Sequence, residues 1–140
     1  MDAPQVTVGV LHPGAMGAAV AAAVRRARVL WCPAGRSAAT AERARAAGLE
    51  PAADLAGLLD ACDIVLSICP PAAAEDLASQ VADLRYRGTY VEANAISRER
   101  MLRIGDRITG AGGRIVDGSI IGPPPVDGAA ARLYLAGPAA

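Results

Sequence analysis

The segment Val6-Thr7-Val8-Gly9-Val10-Leu11-His12-Pro13-Gly14-Ala15-Met16-Gly17 restricts this chain more than any other stretch. A short, largely β-branched run enters a glycine-containing turn, and an alanine-rich helical segment follows at once. A strand that turns directly into a helix brings backbone close to a ligand and presents a helix N-terminus to an anion. The dinucleotide fingerprint G-x-G-x-x-G has this form; here it reads H-P-G-A-M-G, with His12 at the first glycine. Gly14 is where a Cβ would collide with a bound pyrophosphate, and Gly17 lets the helix lie close on the sheet. The amides of Ala15 and Met16 would point at phosphate, with Leu11, His12 and Pro13 completing the cradle. A single imperfect motif is weakly specific, so the rest of the chain has to support it.

The pattern that follows alternates. Strand-like runs are expected at Val6–Leu11, Arg28–Cys32, Leu49–Ala52, Asp63–Cys69, Thr89–Ala93, Arg114–Ile121 and Arg132–Ala136. Between them lie helical segments at Ala15–Arg26, Ser37-capped to Ala47, Asp54-capped Leu55–Ala61, Ala72–Leu84 and Ser97-capped to about Thr109. Arg25, Arg26 and Arg28 are expected near the negative end of the first helix dipole. The run D-I-V-L-S-I-C at Asp63–Cys69 is apolar enough for a strand buried on both faces, and Pro70-Pro71 stops it. Strands alternating with helices predict an α/β fold: a Rossmann-type, doubly wound, mostly parallel sheet with helices on both faces.

Composition narrows the function classes. The 140 residues suffice for one domain with a real core, and the hydrophobic fraction of 53% is rich in alanine and contains no Phe. The formal net charge is zero, which gives no basic footprint for nucleic acid. No apolar run reaches the ~18 residues that span a bilayer, and the N-terminus does not read as a signal peptide. All 14 cationic side chains are arginine, so a lysine nucleophile, Schiff base or lysine acid/base is excluded from this sequence. Cys32, Cys62 and Cys69 form no C-x-x-C and read as reduced thiols of a cytoplasmic protein; with one His, no metal site is expected.

Candidate site residues fall at strand ends. The segment after the second strand, Leu30 to Ser37, lacks the carboxylate that holds an NAD ribose and carries Arg36 and Ser37 instead. An acid there would repel a 2′-phosphate, so its absence favours NADP over NAD, with Arg36 gripping the phosphate and stacking on adenine. Alternatively, Arg36 is a surface residue and Ser37 a plain N-cap. His12 is either a proton donor near the nicotinamide or a loop residue beside the cofactor. Cys69 and Pro70 would form a rigid wall, with Cys69 packed and unreactive. Asn94 could bond a carboxamide or substrate hydroxyl, or simply form a turn before the Ser97 cap. Ser119 and Gly122 lie at the same edge and, with Asn94, would face the substrate.

These residues resemble, in order over nearly the whole chain, the β-hydroxyacid dehydrogenase and 6-phosphogluconate dehydrogenase family. Gly9–Gly17 follows the family's G-x-I-G-L-G-x-M-G, with His12 and Pro13 replacing G-L. Gly35-Arg36-Ser37 resembles its N-R-(S/T), which implies a 2′-phosphate contact. Cys69-Pro70 resembles its Leu-Pro, and Glu92–Ala95 its D-x-S-T with Asn94 in place of Ser. Asp117–Pro123 resembles D-A-P-V-S-G-G, with Ile121 at the serine. The sequence is most similar to a bacterial phosphogluconate-dehydrogenase-like subgroup written L-H-P-G-x-M-G, A-G-R-S, C-P-P and D-G-x-I-I-G-P-P.

The resemblance implies that residues 1–140 are the NAD(P)-binding domain of an NADP-dependent dehydrogenase or reductase acting on a small hydroxy acid. It further implies a separate C-terminal helical domain that carries the family's catalytic lysine, and a full-length protein that pairs as a homodimer. No catalytic residue is then expected in this chain, and near-zero turnover from it alone. The alternatives are a non-catalytic NADP-binding or sensing module and an imine- or amine-directed reductase. A methyltransferase ranks lower, because it usually wants the same missing acid for its ribose.

Overall fold

A computed structural model describes residues 5–140. Its strands are β1 (Val6–Val10), β2 (Ala27–Trp31), β3 (Glu50–Pro51), β4 (Ile64–Ser67), β5 (Thr89–Glu92), β6 (Arg114–Ile121) and β7 (Arg132–Ala136). Its helices are α1 (Ala15–Ala23), α2 (Ala38–Ala46), α3 (Leu55–Ala61), α4 (Ala74–Asp83) and α5 (Arg98–Gly110), with a 3₁₀ turn at Pro71–Ala73. The seven strands form one sheet in the order β3-β2-β1-β4-β5-β6-β7. All neighbours pair in parallel except β6 and β7, which are antiparallel. The fold is therefore the Rossmann-type α/β arrangement expected. The strand order reverses between β1 and β4, and that reversal opens a crevice at the carboxyl ends of those two strands.

Local chemistry explains most element boundaries. Ser37 Oγ accepts from Thr40 N, Asp54 Oδ1 from Gly57 N at 2.7 Å, and Ser97 Oγ from Arg100 N. Each cap satisfies a first-turn amide that has no intrahelical partner. Helix α1 ends at Ala23, three residues before the expected Arg26. Arg26 takes a left-handed φ of 62°, turning the chain so that β2 begins at Ala27 beside Val6. Arg25, Arg26 and Arg28 consequently lie outside the helix and do not stabilise its last turn; Arg28 pairs with Glu50 at 2.7 Å. Strand β4 stops at Ser67, so Ile68 and Cys69 belong to the following loop. The prolines then begin a 3₁₀ turn ahead of α4, where their missing N–H costs nothing.

The core lies on both faces of the sheet. Leu58, Val65, Leu77, Val81, Tyr90, Ile104 and Ile108 pack together from β4, β5, α3, α4 and α5. Val10, Trp31, Ala21 and Ala44 pack together from β1, β2, α1 and α2. The buried positions of α1 are Gly17, Ala18, Ala19 and Ala21, so the alanine-rich composition is what lets this helix approach the sheet. A Cβ on Gly17 would stand 2.5 Å from the His12 carbonyl oxygen, well inside contact distance.

Two Gly→Ala variants should move in opposite directions. Gly17→Ala is expected to lower unfolding free energy by about 1–3 kcal/mol, because backbone must shift to admit the methyl group. Gly105→Ala, in α5 with its nearest neighbour 3.8 Å away, should raise it by about 0.5–1 kcal/mol. Urea unfolding of both variants tests the pair; a stable Gly17→Ala would show that α1 is not closely docked.

Candidate functional site

The crevice at the β1–β4 reversal is built by two loops. On one side is the turn from Leu11 to Gly17; on the other is Ile68-Cys69-Pro70. They enclose a cleft of about 220 Å³ lined by His12, Gly14, Ala15, Met16, Gly17, Ile68, Cys69 and Pro70. A second cleft of about 270 Å³ shares Met16, Ile68 and Cys69 with it and continues over β5 and β6 to Asn94, Ala95 and Ser119. Most expected site residues thus meet along one edge. Gly122 does not line either cleft. Its φ of 121° and the 2.8 Å from an added Cβ to the Ala130 oxygen make it the corner where β6 enters the proline loop. An apolar hollow between α1 and β7 has only Arg132 as a polar side chain to orient a ligand.

The turn is set for an anion. Gly14 is the N-cap of α1 and has no side chain to cap it, so the first amides of the helix face outward. An added Cβ at Gly14 would meet only the His12 ring, at 3.4–3.5 Å, so the space beyond it is open. Arg36 donates from Nη2 to the Leu11 carbonyl at 3.4 Å. Arg43 donates from Nη1 to the Pro13 carbonyl, also at 3.4 Å. The two guanidiniums therefore flank His12 through the carbonyls on either side of it. Burial, then Arg36 and Arg43, hold the His12 imidazole below its ordinary pKa, and its Nδ1 is buried without a hydrogen-bond partner. A ring whose charged form is disfavoured in this way is poorly suited to the proton-donor role considered from the sequence. Ser37 caps α2 and also contacts the Thr40 hydroxyl at 3.0 Å.

Arg43 was not among the residues expected at the site. No local pattern marks it: Thr40 and Ala44 are the buried positions of α2, Arg43 is exposed beside them, and its contact with the turn spans 30 positions. Arg45, by contrast, pairs with Glu42 at 2.5 Å on the exposed side.

The opposite wall is held by Asn94. Its Oδ1 accepts from Cys69 N at 2.6 Å, and its Nδ2 donates to Ser67 Oγ at 3.0 Å and Glu92 Oε1 at 2.5 Å. The Asn94 amide thus clamps the loop after β4 to the end of β5, with its Nδ2 hydrogens committed within the chain. Glu92 is fully buried at the base of this clamp. Burial raises its carboxyl to about 7, only partly offset by the bonds from Asn94, and Oε2 has no partner. Burial likewise raises the Cys69 thiol, which disfavours the reactive thiolate.

No protein-family model matches the sequence. No curated protein matches it. Solved structures do. A conserved protein of unknown function, described as structurally similar to 3-hydroxyacid dehydrogenases, is 29% identical with a TM-score of 0.82 over 93% of this chain and 49% of that one. A 3-hydroxyisobutyrate dehydrogenase of Mycobacterium tuberculosis is 19% identical with a TM-score of 0.77, covering 95% and 47%. An imine reductase from a Pseudomonas species is 24% identical with a TM-score of 0.71, covering 86% and 43%. The chain spans about half the length of these structures, and its neighbours are 3-hydroxyacid dehydrogenase-like.

The Glu92 carboxyl gives a signed pH dependence. Its pKa is raised in the folded state, so the fold holds an extra proton between about pH 4.5 and 7. Its contribution to stability is present below that window and is lost as pH rises through it, by up to about 3 kcal/mol. Chemical denaturation at pH 5 and pH 8 should show this fall in the parent, and Glu92→Gln should flatten it. Equal slopes for both proteins would contradict the buried carboxyl.

Proposed function

We propose that this chain is the NADP-binding part of an oxidoreductase acting on a small hydroxy acid. One observation carries the reading: an uncapped helix N-terminus, Gly14 and two arginines converge on the crevice where the strand order reverses. The residues fit such a cofactor. Leu11 to Gly17 would cradle its diphosphate, with the α1 amides as donors. Arg36 and Ser37 would take the 2′-phosphate, and no carboxylate follows β2 to oppose it. Cys69 and Pro70 would wall the nicotinamide side, held there by Asn94. The second cleft, with Asn94 and Ser119 on its rim, would receive the substrate.

When bound, the cofactor supplies a hydride donor or acceptor at the nicotinamide ring. This chain's residues bind, orient and shield it; the chain has no lysine, and a proton donor from another part of a longer protein completes the reading. Reduction of an imine instead of oxidation of a hydroxy acid is the second reading, favoured by the imine reductases among the structural neighbours.

Titration of the chain with NADP and NAD tests the proposal. NADP should bind at least about tenfold more tightly, and Arg36→Ala should weaken NADP about tenfold to a hundredfold while leaving NAD nearly unchanged. Equal affinities in the parent, or an indifferent Arg36→Ala, would remove the argument for NADP; binding of neither would remove the function. Near-zero turnover of the isolated chain with a panel of β-hydroxy acids is the companion expectation.

A further inference from the structure

Arg43 is a cation with no carboxylate partner among the described residues, although its helix neighbours Glu42 and Arg45 pair with each other. Its only hydrogen bond among those residues is the one to the Pro13 carbonyl, and at 3.4 Å it is long. Arg36 is in the same position, 3.4 Å from the Leu11 carbonyl and without an ion pair. The guanidiniums come from separate elements, the β2–α2 loop and an exposed position of α2, and they bracket one residue of the turn.

We infer that Arg36 and Arg43 form a two-guanidinium clamp for a phosphomonoester, with Arg43 as its second, specificity-determining half. The inference rests on the NADP-binding reading and adds to it a residue and a ligand class. Two long bonds to neutral carbonyls are weak, and a phosphate dianion offers shorter, charge-assisted replacements. A terminal phosphate has three oxygens free for such bonds. A bridging diphosphate has fewer and is already met by the α1 amides. The charged and titratable groups facing this place are Arg36, Arg43, His12 and, from the opposite wall, Cys69. None is a carboxylate. His12 lies between the two contacts and, as the only histidine, is their gauge: burial first and then the two cations lower its pKa, and a dianion between them must relieve the cations' part.

The test titrates the intact chain with NADP, NAD and adenosine 2′,5′-bisphosphate, comparing the parent with Arg43→Gln. The variant is expected to lose about tenfold or more for the two ligands that carry a 2′-phosphate and less than about threefold for NAD. Arg45→Gln, whose partner is Glu42, should bind all three as the parent does. NMR titration of the His12 ring supplies an independent readout. Its pKa should rise further on saturation with NADP than with NAD, whose diphosphate also lies against the turn, and rise in free Arg43→Gln. Equal loss for NAD and NADP would place Arg43 on the diphosphate and overturn the clamp, as would an unaffected variant or an unmoved His12. A parent that prefers NADP while Arg43→Gln changes nothing defeats this inference alone; a parent that binds neither dinucleotide defeats the functional reading as well.

Discussion

Helix α1 lies so near the end of β1 that residue 17 has no room for a Cβ: the added atom would be 2.5 Å from the His12 oxygen. Much else in the structure depends on this approach. It is possible because the buried face of α1 is glycine and alanine, and it brings the helix N-terminus directly over the carboxyl end of β1. The turn is consequently short, and no side chain caps the first amides of α1. The carbonyls of Leu11 and Pro13 are left facing α2, where the two arginines reach them.

The facing wall is held by different physics. A buried polar cluster of Ser67, Glu92 and Asn94 ties the loop after β4 to the end of β5. A fully buried carboxyl is unfavourable in isolation, and its raised pKa is the measure of that. What it secures is the Asn94 amide, whose oxygen then fixes the Cys69 backbone. The crevice therefore has one wall set by close apolar packing and one set by a polar network.

Element existence was legible wherever the signal was local. The Ser37, Asp54 and Ser97 caps each act across three residues, and all three hold in the structure. Strands β6 and β7 and helix α3 keep their expected limits. Helix α1 ends short of the sequence expectation because Arg25 and Arg26 suit a helix by propensity, while pairing Val6 with Ala27 requires the chain to turn at Arg26. At the site, Gly14, Gly17 and Arg36 could be picked out from motif geometry. Arg43 could not, because its contact with Pro13 spans 30 positions and needs α2 packed beside the turn.

The sequence by itself determined the alternation of strands and helices, the places where only glycine fits, and the absence of lysine chemistry, since each follows from residue type and short-range spacing. The tertiary structure alone decided what those residues face. Sheet order put β1 beside β4 and so opened the crevice. It made Asn94 a clamp between two loops, put Gly122 at a corner outside both clefts, and set Arg43 against the Pro13 carbonyl, across His12 from the Arg36 contact. The Asn94 and arginine contacts span 25 to 30 positions and the β1–β4 pairing more, which no local pattern encodes.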